Sequence, residues 1–152
     1  MAHAPASDDR EGTARTTQVL SRIEMPIACE DDVVIVRRKV RALAQARGFD
    51  AFALAALTTA TSELTRNVWV HAGHGQAIVE ELTDGHRLGV RVEFRDDGPG
   101  IEDVARALAG GYSTAKTMGL GLSGSRRLVD EFVLESTPGK GTMVRFVKWT
   151  RF

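Results

Sequence analysis

Cysteine is almost missing from this chain: Cys29 is the one example in 152 residues. A lone thiol cannot close an internal disulfide, which excludes a disulfide-stapled scaffold and points to a reducing compartment. Cys29 itself reads as a small buried residue at a strand end rather than a reactive thiol. An excess of either charge is also missing, since twenty basic residues balance twenty acidic ones. No net field draws the protein to nucleic acid or to an anionic membrane as its main partner. No apolar run approaches the ~20 residues that a membrane span needs. The N-terminus has no basic stretch followed by an apolar core, so no signal peptide is read there. Cytoplasmic residence is the expectation from these absences.

What is present is ordinary globular composition, 43% hydrophobic and 26% charged, in a length that suits a single domain with a real core. Residues 1–17 carry Ala, Ser, Asp, Arg, Gly and Thr with no apolar period, and read as a mobile tail. Residues 18–152 then form one domain. Val19 to Cys29 partly alternates and predicts a strand, with Pro26 marking an edge or an end. Asp31 and Asp32 offer N-caps to a helix whose Val33, Val36, Val40 and Leu43 share a face. Arg37, Arg38, Lys39 and Arg41 fall mostly elsewhere on it, as a docking surface or simply a solvated face. Gly48 closes that helix. Asp50 caps a second one over about Ala51 to His71, with Leu54, Leu57, Ala60, Thr61, Leu64 and Val68 as its core stripe. Gly73 and Gly75 break it.

Two strands follow, Gln76 to Leu82 and Arg87 to Phe94, joined by the turn signal Thr83-Asp84-Gly85. In the second, Val90, Val92 and Phe94 alternate with Arg91, Glu93 and Arg95, which predicts one buried face. A short helix, acidic near its start, is expected over Ile101 to Leu108, a flexible lid over Ala109 to Met118, and a helix over Gly119 to Phe132. A hairpin, Phe132 to Ser136 and Gly141 to Trp149, closes the chain around Thr137-Pro138-Gly139-Lys140. Grouped helices and antiparallel hairpins argue for an α+β fold: a two-layer sandwich with one helical layer on a mixed, mostly antiparallel sheet.

Three pieces carry chemistry. Glu63 and Asn67, one helical turn apart, lie side by side on the flank of the second helix's core stripe. Asp96-Asp97-Gly98-Pro99-Gly100 has the form D-x-G-x-G directly after a strand; its glycines let backbone approach a ligand, and a strand-end carboxylate can accept from an exocyclic amine such as adenine's. Gly119-Leu120-Gly121, at a helix N-terminus, turns backbone N–H groups and a positive dipole end toward phosphates. Asn67 offers a neutral oxygen suited to Mg²⁺, and Glu63 can take the proton of an attacking hydroxyl. Positioned phosphates, a metal and a base are what phosphoryl transfer requires. Taken singly, each motif is weak; their order and placement give them weight. His71 and His74 stand three apart with no third ligand in view, so packing explains His71 better than zinc.

Over about Ile23 to Trp149 this order resembles the GHKL (Bergerat-fold) ATP-binding superfamily. More narrowly, T-T-A-T-S-E-L-T-R-N-V-W-V-H-A-G, F-R-D-D-G-P-G-I, G-L-S-G-S-R-R-L-V-D-E-F, P-G-K-G-T and the closing V-K-W look like the RsbT-type serine protein kinases of bacterial stress-response partner switches, which are related to anti-sigma factors. The resemblance implies Glu63 as general base and Asn67 as Mg²⁺ ligand. It implies Asp96 on the adenine amine, Gly98 and Gly100 shaping that wall, and Thr142 holding the carboxylate and its water. Gly119, Leu120, Gly121 and Leu122 would cradle phosphates. Lys116 is either a compensating phosphate contact or an exposed lid lysine.

The implied reaction moves the γ-phosphoryl of ATP to a serine on a STAS-domain antagonist. A PP2C-type phosphatase and a stressosome scaffold are further partners open to such a kinase. The competing implication is an anti-sigma factor of the same fold that sequesters a sigma factor. A gyrase- or MutL-type ATPase is disfavoured because the chain is too short for their transducer domain, and no phosphoacceptor-histidine domain is visible. The chain departs from the superfamily's usual G-x-G-x-G lid at Thr117, a β-branched residue that restricts the backbone, and has Ser123 where proline is more usual in the subgroup.

Overall fold

A computed structural model describes residues 16–109 and 121–151 of the chain. Five strands form one sheet in the order β1-β2-β3-β5-β4: β1 (Gln18–Ile27), β2 (Gly75–Thr83), β3 (Leu88–Asp96), β4 (Glu131–Thr137) and β5 (Gly141–Trp149). Helices α1 (Asp31–Ala46), α2 (Ala51–Ala72), α3 (Val104–Ala109) and α4 (Gly121–Leu128) complete the described elements. Every neighbouring pair of strands is antiparallel, so the sheet expected to be mostly antiparallel is wholly so among the described residues. Between β1 and β2 the cause is the α1–α2 pair: with two helices between the strands the chain reverses three times, so β2 returns antiparallel to β1.

The core lies between the helices and one face of the sheet. Val36, Val40 and Ala44 of α1 and Leu57, Ala60, Leu64 and Val68 of α2 pack against Ile27, Ala77, Val79, Val92, Phe94, Val144 and Phe146. The helical stripes expected from the sequence are thus the buried ones. Polar helix positions are closed locally: Thr61 and Thr65, both fully buried, donate their hydroxyls to the carbonyls of Leu57 and Thr61, each at 2.7 Å. Asp50 caps α2 as expected, its Oδ1 accepting from the Ala53 N–H at 2.8 Å. Gly73, at φ 79°, ends it.

Several expectations change. Asp31 and Asp32 lie inside the first turn of α1, and Glu30 occupies the cap position without a side-chain bond. Asp32 instead reaches back to accept from the N–H groups of Ala28 (2.7 Å) and Cys29 (3.1 Å), which holds its carboxyl below the usual range. That bend leaves Cys29 exposed rather than buried. His71 is exposed too, so packing does not account for it. The helix expected up to Phe132 ends at Leu128, because Asp130 is captured by the sheet: its N–H donates to the Val147 carbonyl, and its Oδ2 accepts from the Trp149 N–H at 2.7 Å. The outer face of β3 is less open than its alternation suggested. Glu93 is buried between Arg95 (2.7 Å) and Arg145 (3.6 Å), beside a Glu80–Arg91 pair at 2.9 Å. The expected tail (1–17) falls mostly outside the described residues, as does all of the expected lid beyond Ala109.

Candidate functional site

The site is built where α2 ends and β3 begins its exit loop. Register does the first part of the work. Asp96 pairs with Thr142 across β3–β5, and Thr142 pairs with Ser136 across β5–β4, so three polar side chains stand in one row on the helix-facing side. The Asp96 carboxylate is oriented by its own loop: Oδ1 accepts from the Gly98 N–H at 2.9 Å. Ser136 is fully used. It accepts from the Ile101 N–H at 2.7 Å, donates to the Gly141 carbonyl at 3.1 Å, and lies 2.9 Å from Thr142 Oγ1. A hydroxyl has one proton to give, so Thr142 must be the donor in that last bond. Its oxygen therefore offers only lone pairs to anything else.

Backbone proximity does the second part. A Cβ on Gly98 would lie 2.7 Å from the Ala72 Cβ, so the D-x-G-x-G loop rests directly on the last turn of α2. Gly100, at φ 76°, packs against the Thr137 carbonyl, and the Gly139 N–H donates to the Pro99 carbonyl at 2.8 Å. The loop after β3 and the β4–β5 turn are thus one tied unit. Gly75 is more than a helix breaker: a side chain there would meet Val68 Cγ1 at 2.6 Å and the Asp96 Cβ at 3.3 Å, so it is the contact through which α2 and Asp96 approach one another.

On α2, Glu63 and Asn67 are half-buried. Arg66 Nη1 lies 3.6 Å from Glu63 Oε1, with the Glu63 side chain 16% exposed. Glu63 also borders an open cleft of about 280 Å³ with Arg37, Thr58, Thr59, Ser62 and Arg66. Asp96 and Thr142 border a different cleft, of about 370 Å³, at the strand ends. The two halves of the site therefore meet through Val68, Ala72, Gly75 and Gly98 rather than across one open cavity. Gly121 and Leu122 begin α4, and Leu122 packs on the main core. Lys116, Gly119 and Leu120 lie outside the described residues.

Among the described residues no cluster of three or more His, Cys, Asp or Glu side chains suits a metal ion. Asn67, half-buried on α2, offers a neutral amide oxygen, a donor of the kind that Mg²⁺ accepts. Ser136 and Gly141 were missed as site-builders from the sequence; the register of the terminal hairpin was the signal that would have found them.

Residues 26–148 match the family described as the histidine kinase-like ATPase domain. The chain belongs to that family. It is 41% identical over 125 residues to the serine/threonine-protein kinase RsbT of Bacillus subtilis, a match covering 82% of this chain and 94% of that protein. It is 34% identical over 103 residues to the anti-sigma F factor of Caldanaerobacter subterraneus, covering 63% of this chain and 70% of the relative. The anti-sigma F factor of a Thermoanaerobacter species is 32% identical over 102 residues, with the same coverage. The crystal structure of the RsbU and RsbW domains of a Mycobacterium tuberculosis protein superposes with a TM-score of 0.59 at 18% identity, over 84% of this chain. This chain spans 32% of that one, and the likeness concerns the fold.

Proposed function

We propose that the chain is an ATP-dependent serine protein kinase that phosphorylates a STAS-domain antagonist and works by partner switching. The observation that carries this reading is the joining of α2 to the Asp96 loop: Gly98 on Ala72 and Gly75 between Val68 and Asp96 put Glu63 and Asn67 on the helix that walls the strand-end site. The similarity to RsbT over nearly all of that protein's length supports it.

In this reading Asp96, with Oδ1 held by Gly98, presents its other oxygen to the adenine amine. Thr142, its proton committed to Ser136, accepts from a water or an N–H beside it. Gly98 and Gly100 keep the wall flat enough for the base. Gly119, Leu120, Gly121 and Leu122 approach the phosphates, and Lys116 adds charge there. Asn67 would hold Mg²⁺, which neutralises phosphate charge when bound. Glu63 takes the proton from the serine hydroxyl as the Oγ–P bond forms and the bond from the γ-phosphorus to the ADP oxygen breaks. Arg66 positions the Glu63 carboxylate, and the cleft beside it admits the acceptor serine. A PP2C-type phosphatase is a second partner in the switch, with a stressosome scaffold as its setting, in the cytoplasm. No helix of the described residues is long and apolar enough to cross a membrane.

The test is transfer from labelled ATP, with Mg²⁺, to a purified STAS-domain protein. The label is expected on a serine of that protein. No transfer under conditions where ATP binds would sink the kinase reading. The similarity to anti-sigma F factors supports a second reading, sequestration of a sigma factor. Recovery of a sigma factor rather than a phosphatase on the immobilised protein would favour it.

A further inference from the structure

The Ser136 hydroxyl is bonded to the loop, to the start of β5 and to its neighbour across the sheet. It accepts from the Ile101 N–H just past the D-x-G-x-G loop, donates to the Gly141 carbonyl, and lies 2.9 Å from Thr142 Oγ1. A hydroxyl has one proton and two lone pairs. Ser136 is therefore saturated, and the direction of the Thr142 proton is fixed with it. Thr142 stands on β5, between Ser136 on β4 and Asp96 on β3, so its proton points along the sheet toward β4 and away from Asp96. Asp96 gives no proton either: a carboxylate only accepts, and its Oδ1 is already held by the Gly98 N–H. The side chains of this neighbouring pair thus offer acceptor oxygens and no donor.

We propose that Ser136 is a positioning residue that sets which purine the site accepts, by holding the Thr142 proton away from the ligand. The inference rests on the nucleotide-binding reading above. An adenine base carries an amine at C6, with N–H groups to give. Guanine and hypoxanthine carry a carbonyl there, which only accepts. Acceptor oxygens facing an amine are matched. Facing a carbonyl, lone pairs meet lone pairs, and groups taken out of water are left without a partner. An unclamped threonine would not discriminate in this way, because its hydroxyl donates or accepts as the ligand demands. Ser136 removes that freedom without touching the ligand: it stands on the strand beyond Thr142. With Ser136 gone, the Thr142 hydroxyl turns and gives its proton to a carbonyl, and no other atom of the wall has to move. Selectivity here is a matter of proton direction rather than of shape.

The test compares ATP with inosine triphosphate, which has a carbonyl at C6 and a proton on N1 in place of the amine and the bare N1. Both affinities are measured by calorimetry on the full chain with Mg²⁺, from the same preparation. The wild type is expected to bind inosine triphosphate roughly 10²-fold more weakly than ATP. Ser136→Ala should narrow that ratio at least about tenfold. Ser136→Thr, which restores the acceptor, should bring it back. In the double variant S136A/T142V no hydroxyl remains to turn, so the narrowing should disappear. A purely structural role for Ser136 would weaken both nucleotides alike and leave the ratio where it was, and that result overturns the proposal. Equal affinities in the wild type overturn it as well, whether or not any variant folds. Binding of neither nucleotide by the wild type is a separate outcome: it sinks the nucleotide-binding reading itself, and this inference with it.

Discussion

The two walls of the site are made in different ways. The strand-end wall is a row of side chains held by backbone. Asp96, Thr142 and Ser136 are aligned by strand register, their oxygens are oriented by Gly98, Ile101 and Gly141, and glycines bring the loop and the turn into contact. The α2 wall is made of side chains. Glu63 and Asn67 project from a helix that forms for other reasons, its Leu57–Leu64–Val68 stripe and its Asp50 cap, and Glu63 approaches Arg66 at 3.6 Å. Disturbing those backbone contacts costs structure as well as function. The polar groups of α2 can be exchanged with the fold intact, because its buried stripe and its cap do not depend on them.

That contrast can be broken at several points. The largest effect is expected at Glu63→Ala: phosphoryl transfer should fall by roughly 10²–10⁴-fold, the usual worth of a general base, with melting temperature and nucleotide affinity nearly unchanged. Equal loss of affinity would show that the α2 wall also binds. Gly141→Ala comes next. Gly141 sits at φ 126°, and a methyl group there runs into the Asp96 carbonyl. Stability should drop by about 3 kcal/mol in denaturant unfolding, and nucleotide affinity should fall with it. Asn67→Ala should weaken nucleotide binding roughly tenfold in the presence of Mg²⁺ and little in its absence, a difference of about 1.4 kcal/mol readable by calorimetry. Thr142→Val keeps the shape and removes one hydroxyl bond to Ser136, so about 1 kcal/mol of stability should be lost, together with part of the nucleotide affinity.

The smallest effect lies outside both walls. The hydrogen bond from Arg47, 2.9 Å from Glu81, holds the Glu81 carboxyl below its ordinary 4.5, against the opposing effect of burial. A depressed carboxyl stabilises the fold above its unfolded value and loses that contribution as pH falls through the folded one. The denaturant midpoint should therefore be flat above about pH 5 and decline below about pH 4, less steeply in Glu81→Gln.

The same contrast explains what was legible beforehand. The helical period exposed α2, its cap and its buried stripe, and the D-x-G-x-G after an alternating strand marked the loop. Those signals are local. Ser136 was invisible because its importance comes from standing beside Thr142 across two strands, which spacing along one strand does not reveal. The early end of α4 was hidden for a related reason: Asp130 falls on the helical period begun at Leu122 and Arg126, but Val147 and Trp149 of a strand further on claim its backbone and carboxylate. Glu93 looked solvent-facing by alternation and is buried because Arg95 and Arg145 close over it. Non-local partners decided each case.

The central claim is that the two walls do separable jobs, and one paired measurement tests it. Nucleotide affinity and phosphoryl transfer to the STAS-domain protein would be measured on the same preparations of wild-type protein, Glu63→Gln and Asp96→Asn. The account predicts that Glu63→Gln binds nucleotide as the wild type does and transfers nothing measurable, while Asp96→Asn fails at binding. Normal transfer by Glu63→Gln, or loss of binding and transfer together in that variant, would contradict it.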